Sequence, residues 1–83
     1  MEATTHTPRT RAATRMAHGV IAQAARGQNP ADYLHHHAPA ALWMDAEGHH
    51  CRAYGLQTPP ARSRTGAAIT WAHMTLLATE RTA

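Results

Sequence analysis

Apolar and polar positions recur with a helical period over the first third of the chain. From about Thr10 to Arg26, Ala13, Met16, Ala17, Val20, Ile21 and Ala24 share one side of a helix that turns about 100° per residue. Arg11, Arg15, His18, Ala22 and Arg26 run down the other side, and Gly27 supplies a stop. Asn29 before Pro30 is an N-cap and first-turn pair, which predicts a short second helix over 30–37 with Tyr33 and Leu34 as its only large apolar groups. Pro39 then breaks the chain. Residues 42–54 read as a β-hairpin, because Asp45 and Gly48 occupy the first and fourth positions of a type I turn closing into a Gly bulge. In that register Asp45 faces His49 and Trp43 faces Cys51 on one sheet face, while Leu42, Met44, Arg52 and Tyr54 take the other. A competing reading makes 39–47 a helix stopped by Gly48, which would turn the domain all-α.

Pro59 and Pro60 with Arg62 and Arg64 mark residues 57–65 as a linker, after which Thr65 can cap a final helix over about 66–80. Ile69, Trp71, Met74, Leu76 and Leu77 spread over more than half the circumference of that helix. A helix with bulk on two sides has two neighbours to satisfy, one its own core and the other a second subunit or partner protein. His73, on its apolar arc, reads as a hydrogen-bonded core histidine. The organisation expected is a disordered lead over 1–9 and a single small α+β domain over 10–83. Helix, short helix and hairpin in that order leave a winged-helix-like architecture open. The second helix, however, holds Asp32 and no Arg, the wrong sign for reading bases.

Composition narrows what such a domain can do. Of the 36 hydrophobic residues among 83, 19 are Ala, so only 17 are large enough to fill a core. A chain this short with so little bulk is marginal as a monomer, which favours a homodimer. It is also too short for a sizeable enzyme cleft or a dinucleotide-binding sheet. One cysteine forbids an internal disulfide, and no apolar run approaches the ~18 residues of a membrane span. Without a secretory pattern at the N-terminus, a cytoplasmic location and no membrane partner are expected; the Arg-rich, acid-poor residues 1–26 also fit a transit peptide, as any basic surface helix does. All eight basic residues are Arg and none is Lys. In composition the chain resembles small Ala-, Arg- and Thr-rich proteins of high-GC bacteria and their mobile elements.

Charge is uneven: the two ends are net basic and the middle is net acidic, with five of the eight histidines in that middle. Those histidines would turn the middle positive as the pH falls through ~6.5. The basic row Arg11, Arg15, His18 and Arg26, interrupted only by Gly19 and Ala22, is the most specific feature; it is ~22 Å long at ~1.5 Å per residue, enough to meet several phosphates. Arg62 and Arg64 could add a second, flexible contact. His35, His36 and His37 point about 100° apart on a helix and cannot converge on one ion. His49 and Cys51 point the same way on a strand, but no paired ligand motif accompanies them, so no metal and no cofactor are expected. Cys51 and His50, adjacent on a strand, face opposite sides and make no thiol and base pair. The function expected is therefore a small non-enzymatic accessory or regulatory protein that contacts nucleic-acid backbone through its first helix. The alternative is a protein interaction module that docks through apolar helix faces.

Overall fold

The structure, a computed structural model, describes residues 8–82, with side chains described over 11–79. The lead expected over 1–9 therefore lies outside the described residues, apart from Pro8 and Arg9, which begin the first helix. That helix, α1, runs Pro8–Ala25, and α2 follows at Pro30–His37. Asn29 caps α2: its side-chain oxygen accepts the N–H groups of Ala31 and Asp32, at 3.1 and 3.2 Å. The strands are β1 (Ala41–Asp45), β2 (Gly48–Ala53) and β3 (Leu56–Gln57), and α3 (Arg64–Thr82) closes the chain. The fold class is α+β, with three helices and one antiparallel sheet in the order β1-β2-β3. Residues 41–45 are strand, so the helical alternative for 39–47 is not adopted.

The hairpin is present, but in a register one residue away from the one expected. Asp45 pairs with Gly48, Trp43 with His50 and Leu42 with Cys51, because the loop has two residues, Ala46 and Glu47, where the Gly-bulge reading needs three. Gly48 allows this closure: its φ is 137°, and a Cβ on it would stand 2.7 Å from the carbonyl oxygen of Ala61. Slipping a strand by one residue exchanges its faces. Cys51 and Ala53 are buried and Leu42 packs against the core, whereas Trp43, His50 and Arg52 share the outer face.

Residues 57–65 do not form a free linker. Thr58 donates its N–H to the Cys51 carbonyl at 2.9 Å and accepts the Cys51 N–H on its hydroxyl at 3.0 Å. Ala61 and His49 then exchange both backbone hydrogen bonds, at 2.8 and 2.9 Å, so this stretch follows the edge of β2 and satisfies it. Ser63 caps α3, its hydroxyl accepting the Gly66 N–H at 2.9 Å. The helix therefore starts two residues before the one expected, and Thr65 lies inside it.

The core draws on every layer. Ala17 and Val20 of α1, Ala31 and Leu34 of α2, Cys51 and Ala53 of β2, and Ala67, Ala68, Trp71 and Ala72 of α3 form one buried cluster. Six of these ten are Ala, so the helices approach closely and Trp71 supplies the bulk that the composition lacks. The Trp71 indole N–H donates to the Ala53 carbonyl at 2.9 Å, tying α3 to the sheet. Trp71 is thus spent inside its own chain, and Leu76 also packs on this core; Ile69 and Met74 are half-buried and Leu77 is exposed. His73, expected in the core, is exposed, because the buried arc of α3 is centred on Ala68, Trp71, Ala72 and Thr75. No helix among the described residues is long and apolar enough to cross a membrane.

Candidate functional site

The basic row keeps its geometry in three dimensions. Ala13, Ala17 and Val20 turn one side of α1 into the core, which obliges Arg11, Arg15 and His18 to face outward, and all three are exposed. Arg26 is exposed as well, but it stands in the turn just beyond the end of α1, one residue past the regular helix. Among the described residues none of Arg11, Arg15 and Arg26 has a carboxylate at ion-pair distance. Gly19, next to His18, is the point at which α2 crosses: Tyr33 lies over it. The Tyr33 ring in turn stacks on His37 with centroids 4.5 Å apart, and His37 Nδ1 lies 3.0 Å from the Tyr33 carbonyl oxygen. His35, His36 and His37 are all exposed on this short helix.

The remaining two basic candidates separate from that row. Arg64 is engaged by Asp32 at 2.6 Å, an exposed ion pair that joins the start of α3 to α2 and sets a carboxylate against the guanidinium. Arg62 is exposed and follows Ala61, which bridges to His49 at the sheet edge. Four of the six residues thus lie on α1 or in the turn just after it, and two lie at or just before the start of α3.

A second cluster, on the outer face of the hairpin, was hidden by the register. His50 stacks on Trp43, with ring centroids 5.1 Å apart and planes inclined by 13°, and only 6% of it is exposed. The Arg52 guanidinium stands 5.8 Å from the Trp43 ring centre. His50 Nε2 lies 2.8 Å from Asp45 Oδ1, which also accepts the Glu47 N–H at 2.9 Å. The His50 hydrogen bond, then the Glu47 N–H, hold the Asp45 carboxyl below the ordinary aspartate range. Donor atoms of Asp45, Glu47 and His50 all lie within 4.8 Å of one another. The usable signal in the sequence was the two-residue loop: once Asp45 pairs with Gly48, His50 falls on the same face as Asp45.

Thiol chemistry finds no support. Cys51 is fully buried, and loss of solvent pushes its thiol up to about 11 against a small opposing pull from Arg64. His49 does share its sheet face, but the sulfur is enclosed by the core. An open concavity of ≈ 560 Å³ beside the sheet is lined by Pro39–Ala41 and Arg52–Gly55, with no carboxylate or imidazole to do acid–base work. No protein-family model matches the chain, and comparison with curated proteins and with solved structures finds no match.

Proposed function

We propose that this is a small non-enzymatic accessory or regulatory protein that contacts nucleic-acid backbone through the outward face of α1. One observation carries the reading: Arg11, Arg15 and Arg26 stand along one exposed edge with His18 among them and, among the described residues, no carboxylate to neutralise them. Ala22, the small residue between His18 and Arg26, lets the helix backbone approach a polyanion closely there, whereas Gly19 is covered by Tyr33. Binding of this kind depends on counterion release, so affinity falls steeply with salt. Three arginines imply a slope of about −3 in a plot of log affinity against log salt for duplex DNA. In the variant Arg15→Ala/Arg26→Ala that slope flattens to about −1 while the circular-dichroism spectrum is unchanged. Absence of binding at low salt would overturn the reading.

A second reading rests on Leu77, 57% exposed on α3 beside half-buried Ile69 and Met74. An apolar strip of this sort suits self-association as a homodimer. Light scattering would then give two chains per particle, reduced to one by Leu77→Asp. A mass of one chain for the unaltered protein removes this reading.

A further inference from the structure

We propose that the tip of the hairpin binds one divalent transition-metal cation of the zinc class through His50 Nε2 and the carboxylates of Asp45 and Glu47. The inference starts from an imidazole that packing alone does not explain. His50 is more than nine-tenths buried, yet its Nδ1 has no hydrogen-bond partner, a costly arrangement that Phe or Tyr stacked on Trp43 would avoid. The other nitrogen, Nε2, stands 2.8 Å from Asp45 Oδ1, and a carboxylate oxygen of Glu47 lies within 4.8 Å of a donor atom on each residue. One borderline nitrogen and two oxygens converging at the end of a hairpin form a donor set for Zn²⁺, Co²⁺ or Mn²⁺.

The geometry favours binding without rearrangement of the fold. Trp43 clamps the imidazole plane, so Nε2 is pre-aimed. Asp45 is exposed and held by the Glu47 N–H through Oδ1, so a small turn of its carboxyl presents Oδ2 to an ion. Ligands around a four-coordinate zinc ion stand about 3.3 Å apart, closer than the 4.8 Å span of the three donors, and Glu47, exposed and long, can close the difference. The remaining coordination positions face solvent. In the metal-free protein the Nε2 proton lies toward Asp45. The cation takes its place, the proton moves to Nδ1, and charge balances as one divalent ion against two carboxylates. Because Nδ1 finds no acceptor there, the site is about 10–100-fold weaker than one whose histidine has an outer hydrogen-bond partner.

Surface histidines elsewhere also attract such ions, so the test uses the full chain with His35, His36 and His37 replaced by Ala. Calorimetric titration with Zn²⁺, and Co²⁺ absorption, are expected to show one ion per chain in this background. Glu47→Gln and Asp45→Asn should each weaken binding about tenfold or more with the fold intact, and His50→Phe should abolish it while keeping the stack on Trp43. No binding up to about 1 mM Zn²⁺ overturns the proposal. So does an affinity that none of the three substitutions changes.

Discussion

Gly19 of α1 and Tyr33 of α2 occupy one another's space: a Cβ on Gly19 would stand 2.5 Å from the Tyr33 hydroxyl oxygen and 2.7 Å from its Cε2. The crossing of the two helices is therefore set where α1 has no side chain. Ala at this position improves helix propensity by up to ~1 kcal/mol but forces the Tyr33 ring off its seat and off His37, a cost of about 1–3 kcal/mol. Gly19→Ala is expected to destabilise the native protein by about 1 kcal/mol in denaturant unfolding. With Tyr33→Ala already present the same substitution should become stabilising. A loss of equal size in both backgrounds would show that Tyr33 is not the obstacle.

The hydrogen bond from His50 depresses the Asp45 carboxyl in the folded protein, so acid should remove its contribution. A carboxyl with a lowered folded value stabilises above its unfolded value, and that stability is lost as the pH falls through the folded one. Asp45→Asn is expected to cost stability at about pH 6 and progressively less below about pH 4, where the wild-type carboxyl takes up its proton. Thermal unfolding of both proteins across this range tests it. A gap that stays constant down the acid limb would mean the Asp45 charge contributes nothing.

Burial of Cys51 makes a kinetic prediction. A thiol pushed up to about 11 from 9.0 presents about 100-fold less thiolate near neutral pH, and the core encloses the sulfur besides. Alkylation of the native protein at pH 8 is expected to proceed only through unfolding, at least about 100-fold more slowly than in denaturant. Rapid modification of the native chain would show that β2 opens readily.

Thr75, 6% exposed on the inner side of α3, leaves its hydroxyl oxygen without a hydrogen-bond partner. Thr75→Val keeps the β-branched shape and removes the orphan group, so it is expected to stabilise the fold by about 1 kcal/mol. In a domain of this size that raises the midpoint of thermal unfolding by about 4–8 °C. A lowered midpoint would point to a partner for that hydroxyl in solution.

Much of this architecture could be read along the chain, because local signals carry local consequences. Asn29-Pro30 opened α2, Gly27 followed the end of α1, and the spacing of Ala13, Ala17 and Val20 determined which way Arg11, Arg15 and His18 face. Each depends on backbone geometry within a few residues. The basic row was legible for the same reason: a helix with one apolar side displays the other.

Relations across the chain were settled by tertiary packing instead. Whether the turn after Asp45 holds two residues or three depends on Ala61 pressing its carbonyl against Gly48 from 13 positions away, and that one-residue choice moved His50 to the outer face and Cys51 into the core. Arg64 looked like a free basic group until Asp32 claimed it, and Trp71 like half of an interface until the Ala53 carbonyl took its N–H. His73 shared an apolar arc on paper, but the buried side of α3 was fixed by where the sheet and α1 lie. Periodicity sorts residues onto faces, yet only the neighbours present in the folded chain decide which face is covered and which polar groups find partners.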